Sequence, residues 1–259
     1  MKQRKKWEIL LVISVLLLSL FGVGYTKKAE PGTSFTLMTW NILHGNGMID
    51  KQKEQLTAYN PDIVLLQEVE IGTRRIDKSN NMTDLADGLY PTSLFGYECD
   101  YDTGVLGTAI LTKGTLDDVE YLDGTEYAEI YHGYFHTTVE LDGIEVSVYT
   151  VHLNYVRSDW RAQQLYDLAL DVDADKNRYI IVAGDFNLQD FDELNVLSDR
   201  LTAVNTEETY YPTYHGLDWN TQAIDNILYT ADTLNVDQVL MPVNGYSDHN
   251  ALYAKFTAK

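Results

Sequence analysis

Six short segments of this chain close on a polar side chain where an apolar or alternating run stops: Thr39-Trp40-Asn41, residues 65–69 (LLQEV), 150–154 (TVHLN), 184–187 (GDFN), 224–227 (IDNI) and Ser247-Asp248-His249. Strand ends are where a rigid scaffold aims side chains into one cleft. The pattern therefore asks for a sheet structure whose strand ends converge.

The runs ahead of those ends support this reading. Residues 35–41 (FTLMTWN) and 145–152 (EVSVYTVH) alternate apolar and polar, and residues 63–66 and 179–183 are short apolar runs, so each reads as a strand with a buried face. Residues 48–59 and 159–172 instead place apolar side chains at helical spacing, the second through Trp160, Leu165, Leu168 and Val172, with Ser158 as its expected N-cap. Asp142-Gly143 between two strand-like segments is a hairpin signal. Helices interleaved with strands and an antiparallel hairpin predict an α/β fold with mixed sheets.

The N-terminus has a different composition. Lys2, Arg4, Lys5 and Lys6 precede residues 9–23, an apolar run without charge, which reads as an export signal, cleaved near Gly22-Val23-Gly24 or kept as a membrane anchor. The expected organisation is residues 1–33 as signal or anchor with a short linker, and residues 34–259 as one catalytic domain working outside the cytoplasm, secreted or membrane-anchored. Cys99 is the only cysteine, so stability must come from core packing.

The chain carries 19 Lys plus Arg against 39 Asp plus Glu, a net charge of −20, and its basic leader makes the remainder more acidic still. Such a surface repels polyanions and gives up counterion-release energy, which disfavours long nucleic acid and favours a small or lipid-linked phosphorylated substrate.

The polar strand ends suit phosphoester hydrolysis, which requires neutralised phosphoryl oxygens, an aligned water and a stabilised leaving oxygen. Glu68 closes a run too apolar for an unpaired charge, so a hard divalent cation is a fitting partner: Mg2+ first, with Mn2+ or Ca2+ as alternatives. Asn41 can ligate through oxygen or steady Glu68 through its donors. Asp185 and Asn187 share a side if extended, whereas Asp248 and His249 would oppose one another. Each alone has a plainer reading: a strand-ending turn residue for Asn41, an Asx turn for Asp185-x-Asn187, a structural histidine for His152.

Taken in order, the six segments resemble the endonuclease/exonuclease/phosphatase superfamily, which includes DNase I-like nucleases, neutral sphingomyelinases and inositol-polyphosphate 5-phosphatases. The resemblance covers residues 36–256. It implies a DNase I-like four-layer α/β sandwich, two facing mixed β-sheets flanked by helices. It implies metal ligation through Asn41, Glu68 and Asp248, and catalytic roles for His152, Asp185, Asn187, Asp225 and His249, with Asp225 orienting His249. Leu43 departs from it, standing where repair-type members carry a second acid, with His44 as a local substitute. His132 stands where members often show an arginine. Arg157, His132 and Tyr214 are candidate substrate contacts, while Arg161 and Gln164 match a helix pattern in which packing is the expected task. The expected function is metal-assisted in-line water attack on a phosphate mono- or diester. The rivals are an extracellular DNase I-like endonuclease and a catalytically silent surface-binding module.

Overall fold

The computed structural model describes residues 29–122, 132–216 and 221–259, so the leader through residue 28 lies outside the described residues. Among the described residues no helix is long and apolar enough to cross a membrane.

Among the described residues, twelve strands form two six-stranded sheets. In the first, β1 (Ser34–Asn41) and β2 (Ile63–Ile71) are a central parallel pair, extended by β3 (Thr92–Tyr101), β4 (Gly104–Thr112), β11 (Leu234–Leu240) and β12 (Leu252–Ala258) in the order β11-β12-β1-β2-β4-β3. In the second, β7 (Ile144–His152) and β8 (Tyr179–Asp185) are the parallel pair, within the order β5-β6-β7-β8-β10-β9, where β5 is Thr115–Leu122, β6 Gly133–Leu141, β9 Thr202–Ala203 and β10 Asp225–Tyr229. All other pairings are antiparallel. Parallel neighbours need a crossover: α1 (Ile49–Tyr59) lies between β1 and β2, and α3 (Ser158–Ala174) between β7 and β8, while the short α2 (Asn81–Ala86) follows β2.

Strand alternation builds the layers. Leu37, Ile63 and Leu65 of the first sheet pack with Val146, Val148, Ile181 and Ile227 of the second. The intervening Met38, Trp40, Val64 and Leu66 face Leu56 of α1 and Leu85 of α2. On the other side Val151, Ile180 and Val182 meet Leu165, Leu168 and Val172 of α3. A central strand buried on both faces reads as a continuous apolar run, which is why residues 63–66 lack alternation. The result is the expected helix–sheet–sheet–helix sandwich.

Two local expectations meet the structure differently. Asp142 (φ 49°) and Gly143 (φ 83°) form the two-residue turn joining β6 to β7, as anticipated. Ser158 is instead the first residue of α3, with Arg157 at the cap position and no side-chain cap. Asn154 serves that end from outside, its Oδ1 accepting from the backbone N–H of Val156 (2.9 Å) and Arg157 (2.9 Å), because the chain turns sharply as it leaves β7.

Candidate active site

Register places the chemistry. β7 and β8 pair so that His152 stands opposite Asp185, and β10 runs antiparallel to β8 so that Asp225 stands opposite Asp185 on its other side. Three strand ends thus set His152, Asp185 and Asp225 side by side on one face of the sheet. Close approach of β7 and β8 depends on Gly184, where an added Cβ would sit 2.0 Å from the Val151 carbonyl oxygen.

The first sheet supplies the facing groups. Asn41, buried at the end of β1, donates from Nδ2 to Glu68 Oε1 (3.2 Å) and to Asp185 Oδ2 (3.2 Å), joining the two sheets at the site. Its Oδ1 accepts the Leu43 N–H (3.1 Å). Asn41 therefore steadies two carboxylates in this arrangement instead of turning its oxygen to the cleft. Glu68 leaves the regular ladder: pairing with β4 passes from Leu66↔Ala109 to Val69↔Gly107, and Glu68 takes φ 56°. Such a bulge re-aims one side chain.

The Ser247-Asp248-His249 segment is a loop before β12, tied to β1 where Ser247 Oγ donates to the Asn41 carbonyl (2.7 Å) and Trp40 Nε1 to the His249 carbonyl (3.0 Å). His249 Nδ1 meets Asp225 Oδ2 at 2.8 Å, and its Nε2 lies 3.8 Å from Asp185 Oδ2. Because the segment is not extended, Asp248 and His249 both border the cleft and do not oppose one another. Tyr214 pairs with His249 through a backbone bridge, with ring centroids 4.9 Å apart.

Asp185 and Asn187 combine two of the sequence readings. Asp185 Oδ1 accepts the Asn187 N–H (2.9 Å), an Asx turn, and Asn187 takes φ 52°. Both still line the cleft. Asn187 Nδ2 also donates to the Leu153 carbonyl (2.9 Å), leaving its second amide hydrogen available.

Burial and charge set the protonation states. Burial opposes ionisation of Glu68, but the neighbouring His44, His152, Asn41 and His249 outweigh it and hold the carboxyl at about 2. Burial would lower His249, and Asp225 overrides it to hold the imidazole at about 10. Burial likewise opposes the charge on His152, whose pKa Glu98 raises to about 9. Asp185 is pushed up by burial and then by the charge of Asp225.

These groups open onto a cavity of about 580 Å³ whose walls include Glu68, His132, His152, Asp185, Asp248 and His249. Its rim is aromatic: Tyr155, Phe191, Tyr210 and Tyr214. His132 also faces it, with its ring centroid 3.7 Å from that of His152. Arg157 is placed elsewhere, ion-paired with Asp159 and lying 4.4 Å over the Trp160 ring. Arg161 is fully buried, held by Glu193 (2.6 and 2.9 Å) and the Asn154 carbonyl (3.0 Å). Gln164 receives the Asn154 N–H (2.8 Å) and donates to the His132 carbonyl (2.6 Å). Both residues do the packing work expected of them.

Sequence reasoning missed Glu98. Its buried carboxylate accepts from His132 Nδ1 (2.9 Å) and His152 Nδ1 (3.3 Å), so Nδ1 carries a proton in both rings. Glu98 is itself the extra residue of a second bulge, where β3–β4 pairing passes from Tyr97↔Gly107 to Cys99↔Leu106.

The endonuclease/exonuclease/phosphatase family profile matches residues 38–249. The chain belongs to this family. Its members are hydrolases acting on phosphoester bonds and use divalent metals. Among solved structures, a family member from Beutenbergia cavernae superposes with TM-score 0.73 at 19% identity, covering 87% of this chain and 72% of that one. D. rerio TDP2 complexed with a single-strand DNA product gives 0.68 at 19%, covering 86% and 99%. The human nocturnin catalytic domain with bound sulfate gives 0.62 at 20%, covering 87% and 95%. A UPF0294 protein of Vibrio cholerae serotype O1 is 30% identical over 117 residues, 44% of this chain and 41% of that protein, so the match spans under half of the relative's length.

Proposed function

We propose that this family member is an exported, divalent-metal-dependent phosphoesterase that hydrolyses a small or lipid-linked phosphate mono- or diester. The observation that carries the reading is the row of His152, Asp185 and Asp225 across three strand ends, faced by the ionised Glu68 in one cavity.

The residues fit a divalent cation. Glu68 is ionised at neutral pH and partly open to the cleft, and Asp248 borders the same cavity. A cation held there by Glu68 and Asp248 would neutralise phosphoryl oxygens. The remaining work falls to the chain itself. Asp185 orients the attacking water, a task suited to a carboxylate held beside two imidazoles. His249, kept cationic by Asp225, meets a phosphoryl oxygen, and the second amide hydrogen of Asn187 meets another. His152, anchored through Nδ1 on Glu98, offers Nε2 to the leaving oxygen. Its neighbour His132, whose tilted ring lies 3.7 Å from that of His152, borders the substrate.

A net charge of −20 supports a compact phosphate ester over long DNA, and the aromatic rim suits a sugar, base or headgroup. Export rests on the basic, then apolar, leader. The test is a panel of p-nitrophenyl phosphates, phosphorylated sugars, sphingomyelin and plasmid DNA with Mg2+, Mn2+ or Ca2+. Turnover of a small or lipid-linked ester supports the reading, and rapid plasmid cleavage in its place would make the protein a nuclease.

A further inference from the structure

Directly after Asn41 the backbone does something unusual. Leu43, His44, Gly45, Asn46 and Gly47 all have positive φ, at 47°, 46°, 76°, 38° and 68°. Three of these are not glycine, and a non-glycine residue in this region persists only where the surroundings over-determine it. They do: Gln52 Nε2 donates to the carbonyls of Ile42 (2.9 Å) and Tyr246 (2.9 Å), and the Ile42 N–H reaches the Gln67 carbonyl (3.1 Å). The loop is held in a shape that costs energy, and that shape brings the His44 ring to Glu68.

The contact is not a hydrogen bond. His44 Nδ1 stands 3.6 Å from Glu68 Oε2, and it is buried without a hydrogen-bond partner. A buried polar nitrogen left unpaired costs free energy, so its position needs an explanation. Two donors each about 2.1 Å from one ion stand about 3.0 Å apart at a right angle and about 3.4 Å apart at a tetrahedral one. The observed separation is too long for a hydrogen bond and within a few tenths of an ångström of the spacing two ligands of one cation adopt. The two oxygens of Glu68 also have different partners: Oε1 takes the Asn41 amide and Oε2 faces His44.

We propose that His44 Nδ1 and Glu68 Oε2 ligate one divalent cation together, giving a mixed nitrogen and oxygen site that selects a transition-metal ion such as Mn2+ over Mg2+. This rests on the reading that Glu68 holds the metal. The selectivity follows from donor chemistry, because Mg2+ prefers oxygen ligands and keeps its waters, whereas imidazole raises affinity for first-row transition ions. Imidazole thus takes the place of the second acid that Leu43 does not provide.

The experiment uses the full-length chain with 15N-labelled histidine, Mn2+ as probe, and three variants: His44→Gly and His44→Asn, which both tolerate positive φ, and Glu68→Gln. Free Mn2+ is measured by electron paramagnetic resonance, and ligand nitrogen by electron-nuclear double resonance. The expected result is a histidine nitrogen coupling in the native chain that disappears in His44→Gly and His44→Asn. The Mn2+ Kd of His44→Gly should rise at least about tenfold, with Mg2+ competition changing less. A coupling that survives in both His44 variants, or unchanged Mn2+ affinity in them, overturns the role of His44 while leaving the metal on Glu68. Undiminished Mn2+ binding by Glu68→Gln overturns both.

Discussion

Glu98 shows how one side chain can govern two others. Its carboxylate lies between His132 and His152 and, although burial opposes its charge, the two rings hold it at about 2, below the ordinary glutamate value of 4.5. A carboxyl lowered on folding contributes stability that is fully present above about pH 4.5 and is lost as pH falls through about 2. Glu98→Gln should therefore be less stable than the native chain by about 1–3 kcal/mol at pH 7, and the gap should close across that acid window. Urea unfolding at a series of pH values measures this, and a pH-independent gap would mean that packing alone explains the loss. Arg161 makes a second prediction. Its guanidinium is fully buried against Glu193 and the Asn154 carbonyl, so Arg161→Ala should cost about 2–5 kcal/mol by emptying that buried site and removing the donor to the Asn154 carbonyl. Chemical denaturation of the variant gives that number directly.

At the scale of elements, two bulges deliver the two carboxylates that the cleft needs from the first sheet. Glu68 is displaced where β2 pairs with β4, Glu98 where β3 pairs with β4, and the two irregularities meet at Gly107 of β4. A Cβ there would lie 2.0 Å from the Gly96 carbonyl oxygen and 2.8 Å from Phe95 Cζ. Gly107→Ala should thus force β3 and β4 apart, destabilise the domain by about 2 kcal/mol or more, and lower phosphoesterase activity beyond that loss, because both carboxylates move. Thermal unfolding alongside kcat/KM separates the two effects, and native activity in a destabilised variant would show that the bulges do not depend on this glycine. The same scale explains why α1 and α3 were legible and Glu98 was not. A helix repeats every 3.6 residues, so Trp160, Leu165, Leu168 and Val172 announce it. β3 reads TSLFGYECDY, where the bulge breaks the alternation that would have marked Glu98 as inward-facing.

For the whole molecule, stability lies between the sheets. Ile181 is fully buried there among Leu37, Val148 and Ile227, so Ile181→Ala should cost about 2–5 kcal/mol without altering the ligands of the cleft, a split that denaturation and metal titration together would reveal. The sequence by itself marked the residues that reach the site, Asn41, Glu68, His152, Asp185, Asp225 and His249, but only Asn41, His152 and Asp185 close their strands as an apolar run with a polar stop; Glu68 lies at a bulge within β2, Asp225 opens β10 and His249 lies in a loop. Tertiary structure alone decided how those ends meet. Glu98 is 54 residues from His152 and Asn41 is 144 from Asp185, distances over which no local pattern speaks. Pairing register set which side chains became neighbours, a bulge turned Glu68 inward, and the fixed loop after β1 placed His44 beside it. Arg157 carries the opposite lesson: its residue type suited phosphate, but Asp159 two residues away and the Trp160 ring were nearer partners. Side-chain type is written in the sequence, while proximity is a property of packed sheets whose register emerges only when both faces of every central strand are buried.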